Sequence, residues 1–157
     1  MHEEVARYAH VTYCDDVRLE VGSKFSLMGI YNGLMAVPQF PFVLGKLVAF
    51  VSIAVPADQG LSAIKVECSI GDNILASLDI SVDEVSRFTA DWRKAWDPLL
   101  NGEPRRGNLC QLQLVMGGLN LTEECTLYTK VLIGDDLIAS PRLRIVSSDK
   151  FPPQTPA

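Results

Sequence analysis

Residues 63–80 read A-I-K-V-E-C-S-I-G-D-N-I-L-A-S-L-D-I. Ile64, Val66, Cys68 and Ile70 occupy every second position, with Lys65, Glu67 and Ser69 between them. Side chains of an extended chain point alternately to opposite faces, so the pattern predicts a strand with one face buried and one in water. Gly71-Asp72-Asn73 interrupts it, and Ile74, Ala76, Leu78 and Ile80 then alternate against Leu75, Ser77 and Asp79. Two alternating runs about a Gly-Asp pair predict a β-hairpin.

The same device returns further along the chain. I-G-D-N-I-L-A-S at 70–77 is echoed by I-G-D-D-L-I-A-S at 133–140, with five of eight residues identical. Internal duplication and reuse of one turn chemistry both account for the echo, and both predict a second hairpin, from 125–133 and 137–146. Pro141 falls inside the latter run and has no N–H to donate, which places it at an edge or bulge. Residues 8–14 are aromatic and β-branched. Residues 24–31, K-F-S-L-M-G-I-Y, lead into Asn32-Gly33 and resume at 34–37, predicting another hairpin. The near-continuous apolar run at 46–55 predicts a central strand covered on both faces. In 109–116, Cys110, Leu112, Leu114 and Met116 oppose Gln111 and Gln113.

One segment changes period. Ser81 and Glu84 have capping-box spacing, and Val82, Val85, Phe88, Trp92 and Trp96 keep to a helical stripe. An amphipathic helix is predicted over 82–96, stopped by Asp97-Pro98. The expected fold is all-β: an immunoglobulin-like or related Greek-key β-sandwich of seven to nine strands with one crossover helix. No linker divides the chain, so one domain is expected over 1–149, followed by a flexible Pro-rich tail at 150–157.

The bulk composition fits one such domain. The chain has 157 residues, 48% of them hydrophobic and 21% charged, an ordinary globular balance. A net charge of −5 argues against general attraction to nucleic acid or an anionic membrane. The longest apolar stretch, L-V-A-F-V-S-I-A-V at 47–55, is too short to span a bilayer. The opening M-H-E-E-V-A-R-Y has no apolar core of a secretory signal. Cys14, Cys68, Cys110 and Cys125 are widely spaced, which predicts free, buried thiols and a cytoplasmic protein.

Tyr13-Cys14-Asp15-Asp16 invites comparison with the Tyr-x-Asp-Asp hairpin of template-directed polymerases. Two-metal chemistry needs carboxylates from more than one strand. Of the twelve residues before Tyr13 only Glu3 and Glu4 are acidic, and 157 residues leave no room for a template channel. The tetrapeptide instead predicts a strand end, with Asp side chains bonding in a turn and Arg18 and Lys24 near enough to pair. His10 and Cys14 share a face but lie roughly 13 Å apart along a strand. Neither a metal site nor a cofactor site is predicted, and Gly117-Gly118 lacks the rest of a phosphate loop. The candidate partner-binding residues are Trp92 and Trp96 on the helix, which either cover an open side of the sandwich or present an aromatic anchor, and Arg105 and Arg106 in the following loop. Pro153-x-x-Pro156 is a minimal polyproline pattern.

Residues 13–51 carry a resemblance. Tyr13-Cys14-Asp15-Asp16-Val17-Arg18, Gly22-x-Lys24, Gly29-Ile30-Tyr31, Pro38-x-Phe40-Pro41 and Leu44-x-Lys46-Leu47 resemble the opening of a domain-of-unknown-function family of bacteria and their phages. The resemblance implies a small β-rich protein and no catalytic residues. The function expected is therefore a non-enzymatic protein-binding or assembly module of bacterial or phage origin, which self-associates or binds a protein partner. Inhibition of a host protein complex is compatible with its small size and acidity. The competing expectation is a small hydrolase with a site assembled around Asp15, Asp16 and His10.

Overall fold

The computed structural model describes residues 6–151. In chain order the elements are β1 (Tyr8–Cys14), β2 (Asp16–Glu20), β3 (Lys24–Met28), β4 (Leu34–Val37), β5 (Phe42–Pro56), β6 (Ile64–Ile70) and β7 (Asn73–Ile80). The helix α1 (Val82–Trp96) and a 3-10 turn (Asp97–Leu100) follow. The chain then forms β8 (Gly107–Leu121), β9 (Cys125–Ile133), β10 (Asp136–Ala139) and β11 (Arg142–Ser147). The fold is mostly β.

Among the described residues, eleven strands replace the seven to nine expected. One addition is β2, whose short alternating sequence remains largely in solvent. Another arises at Pro141, which splits the predicted 137–146 strand into β10 and β11 because it has no N–H for the ladder. Its carbonyl still accepts from the Thr129 N–H at 3.0 Å.

Three sheets result. One has the order β1-β5-β8, all antiparallel. The largest has the order β4-β11-β9-β6-β7, with β10 also paired to β9. The third is the β2-β3 ribbon. The inner rows of the first two sheets share one core: Leu47, Ala49, Val51 and Ile53 from β5 meet a cluster that includes Val66, Leu127, Val131 and Ile145. Outer-face residues Val48 and Phe50 of β5 are also buried, with the Phe25 ring of β3 lying 5.3 Å from that of Phe50. The predicted burial of this strand on both faces thus holds where the ribbon reaches.

The two Ile-Gly-Asp hairpins match beyond their letters. Gly71 and Gly134 have φ of 55° and 60°, the left-handed position that opens a type II′ turn. In the first hairpin Ser69 pairs with Ile74 and Cys68 with Ala76, leaving Leu75 as the extra residue. In the second, Leu132 pairs with Leu137 and Val131 with Ala139, leaving Ile138 extra. Leu75 and Ile138 occupy the same place in the echo, and both pack against the core. The bulge reverses the face predicted for Ile74, which lies exposed while Leu75 turns inward.

Asn32-Gly33 does not close a hairpin. β3 pairs backward with β2 through Val21-Gly22-Ser23, and β4 lies parallel to β11. The Gly33 carbonyl accepts from the Arg144 N–H at 3.0 Å. This placement buries Met35 and Val37 in the core, a gain that outweighs local turn preference. α1 has the predicted limits and runs from the β7 edge of one sheet to the β8 edge of the other.

Candidate functional site

The Cys-Asp-Asp segment forms a corner. β1 ends at Cys14, Asp15 lies in a bend, and β2 starts at Asp16. The Asp15 N–H donates to the Met28 carbonyl and the Tyr31 N–H to that of Tyr13, both at 2.9 Å. The Asp15 carboxylate accepts from the Tyr31 hydroxyl. Asp16 accepts from Lys46 Nζ and, at 3.5 Å, from Arg18 Nε. Lys46 thus takes the place expected for Lys24, which sits at the far end of the ribbon opposite Glu20. Asp15-Asp16, Gly29-Tyr31 and Lys46, distant in sequence, therefore meet here.

His10 stands apart from this corner. It lies opposite Ser52 in the sheet, with Thr12 Oγ1 3.4 Å from its Nδ1. Five to six residues of extended chain place it roughly 16–20 Å from the two aspartates along β1. The Tyr31 hydroxyl is pushed up to about 12 by burial and by its bond to Asp15. Burial pushes the Cys110 thiol up to about 11 and raises Cys14, Cys68 and Cys125 above the ordinary thiol range. All four are therefore protonated at neutral pH and poorly nucleophilic. Among the described residues, no group of three His, Cys, Asp or Glu side chains is placed to hold a metal ion.

The hydrogen bond and charge of Lys46 hold the Asp16 carboxyl below the usual aspartate range. A depressed folded value means that the contribution is complete above the unfolded value of about 4 and is lost as pH falls through the folded one. Thermal melts across pH should therefore separate wild type from Asp16→Asn by a constant margin above about pH 5, narrowing below about pH 4. A margin that stays unchanged down to about pH 3 would show that the pairing is unimportant.

The second region begins at the predicted helix cap. Ser81 Oγ accepts from the Glu84 N–H at 3.3 Å, and Glu84 Oε2 accepts from the Ser81 N–H at 2.9 Å and from its hydroxyl at 2.7 Å. Asp83 and Glu84 in the first turn and Arg93 and Lys94 in the last complement the helix dipole. Val85 is the helix residue sunk fully into the core.

Trp92 and Trp96 stack with ring centroids 5.7 Å apart and planes 24° from parallel. The Arg105 guanidinium lies 4.6 Å above the Trp92 ring and pairs with Asp97. Arg93 donates to Asn108 Oδ1 at 3.3 Å. The four predicted residues thus separate by role. Trp92 is half-buried, and Arg105, with its side chain 13% exposed, braces the loop against it. Trp96 remains 46% exposed, and Arg106 is also in solvent. Phe88 at 53% and Leu99 at 67% exposure are further large apolar side chains in solvent, one on α1 and one in the 3-10 turn. Val85 seals the side of the sheets, while Phe88 and Trp96 remain outside that seal.

Between α1 and the sheets lies a cavity of about 150 Å³. Ile64 and Ile80 form one wall, Cys110 and Leu112 the other, with Val85 and Phe88 above. These residues come from four elements, so no local sequence signal announces the space. The Asp97–Arg105 brace was more legible, since opposite charges bracket a Gly- and Pro-containing loop. Pro153 and Pro156 lie outside the described residues.

No family model matches the chain, and comparison with curated proteins finds no match.

Proposed function

We propose that the chain is a non-enzymatic protein-binding or assembly module of bacterial or phage origin, built on an immunoglobulin-like or related Greek-key β-sandwich and acting in the cytoplasm. The observation that carries this reading is that Phe88 and Trp96 on the capped helix, and Leu99 in the turn after it, are large apolar side chains left in solvent. Tryptophan on a rigid element, surrounded by smaller apolar groups, has the chemistry of an interface hot spot. The Trp92 stack and the Arg105–Asp97 pair limit the motion of Trp96 before binding, which reduces the entropy lost on association.

The sheet arrangement supports the architectural part: two sheets share a core, and α1 carries the chain from one to the other. Four unpaired thiols suit a reducing compartment. No helix among the described residues is long and apolar enough to cross a membrane. The hydrolase reading has weaker support, because His10 is remote from Asp15 and Asp16, whose carboxylates are engaged by Tyr31, Lys46 and Arg18.

Affinity purification with mass spectrometry, using wild-type and Trp96→Ala baits, supplies the test. A captured protein, or a second copy detected by light scattering, is then titrated in purified form. Trp96→Ala should weaken binding by about 2 kcal/mol, roughly 30-fold, with the melting temperature little changed. An affinity unmoved by Trp96→Ala and Phe88→Ala overturns this reading, as does a turnover activity abolished by Asp15→Asn or Asp16→Asn in a folded protein.

A further inference from the structure

We infer that the cavity beneath α1 is a binding site for a small, neutral, apolar molecule of about the size of a substituted benzene ring. Native interiors pack as densely as organic crystals and contain few voids larger than a water molecule. The space of about 150 Å³ beneath α1, open to solvent past Phe88, departs from that density where the helix meets the sheets. An apolar cavity of this order offers water too few partners to fill it and accepts a benzene-sized guest. Aliphatic side chains and the protonated Cys110 thiol dominate its walls.

One polar side chain, Glu84, reaches the lining. Its carboxylate accepts from the Ser81 N–H and hydroxyl, so its bonding capacity is directed toward the helix cap. Those bonds also keep it ionised at neutral pH. An anionic head group brought to this wall meets a like charge, which selects against carboxylate ligands. A peptide threading a side chain into the space would find little at the lining to hold its main chain, which favours a free molecule as occupant. Phe88, half in solvent at the rim, is the side chain past which such a molecule would enter. The cavity shares Phe88 with the exposed apolar residues of α1, but its interior is formed by Ile64, Ile80 and Leu112, away from Trp96.

The test is a methyl-resolved NMR titration of the whole chain with toluene, benzoate and N-acetylphenylalanine amide. Toluene should produce saturable shifts at the methyls of Ile64, Ile80, Val85 and Leu112, and benzoate should bind at least tenfold more weakly. Leu112→Phe, which fills the space from the β8 side, should abolish the toluene shifts and the accompanying rise in melting temperature. Ile80→Phe fills it from the other wall if the first variant does not fold. The inference is overturned by linear, non-saturating shifts in the wild type, by toluene binding that survives a folded cavity-filling variant, or by benzoate binding as well as toluene. Tighter binding of the phenylalanine amide would assign the space to a partner's side chain instead, and also overturns it.

Discussion

Tyr13→Ala should destabilise the fold by about 3–5 kcal/mol, the range for truncating a buried aromatic in a core that cannot collapse around the loss. Tyr13 is buried on the inner face of β1, opposite Ala49 of β5. Its hydroxyl crosses to the other sheet and donates to Thr129 Oγ1 at 2.8 Å, with the Pro141 carbonyl 3.3 Å away. Thr129 is itself fully buried, with Cys68 Sγ 3.2 Å from its Oγ1. One side chain therefore supplies both apolar contact and a polar tie between the sheets. Tyr13→Phe isolates the polar part and should cost about 1–2 kcal/mol in urea denaturation, as should Thr129→Val. Because the two share a bond, the double variant should cost less than the sum, by roughly 0.5–1.5 kcal/mol. Strict additivity would show that the hydroxyls do not act together. Burial pushes the Tyr13 phenol up to about 12, so this contribution is intact below about pH 10 and fades as pH rises toward the folded value.

Gly29→Ala should cost about 2–3 kcal/mol, although the residue is exposed. Two causes combine. Gly29 has a φ of 66°, where an L side chain crowds its own backbone at a cost of about 1–2 kcal/mol. A Cβ there would also lie 2.6 Å from Asp15 Cγ and overlap the carboxylate itself. Asp15 would have to swing away and release the Tyr31 hydroxyl, adding about 1 kcal/mol. In an Asp15→Ala background that second part disappears, so thermal or urea unfolding of the double variant should show a coupling of roughly 1 kcal/mol. Equal effects of Gly29→Ala in both backgrounds would assign the whole cost to backbone conformation. The outcome bears on function, since it decides whether the Asp-Asp and Gly-Ile-Tyr stretches are tied by packing at one corner.

Much of the architecture was legible from local pattern. The first Gly-Asp hairpin and the cap and limits of α1 depend on residues within a few positions of one another, and period and capping chemistry read such distances directly. The aromatic candidates on the helix were visible for the same reason, because a helical stripe places Phe88, Trp92 and Trp96 along one side.

Their separate roles were not visible. Trp92 is turned to the brace and Trp96 to solvent because Arg105 and Asp97 meet across a loop whose path no residue pair alone dictates. Asp16 found Lys46, thirty positions away in sequence, while Lys24, only eight positions away, lies at the other end of the ribbon opposite Glu20. Asn32-Gly33, locally a hairpin signal, became a link to a parallel strand because burying Met35 and Val37 beside β11 outweighed turn preference.

Taken alone, the sequence determined the β-rich class, the hairpins that start from Ile-Gly-Asp, and α1 with its ends. Only the tertiary structure decided the order of strands, the bulges at Leu75 and Ile138, the Asp15–Gly29–Tyr31 corner and the cavity beneath α1. The division follows the range of the forces. Turn and capping bonds act within one segment and leave their pattern in adjacent letters, whereas burial depends on the shape that distant segments make together.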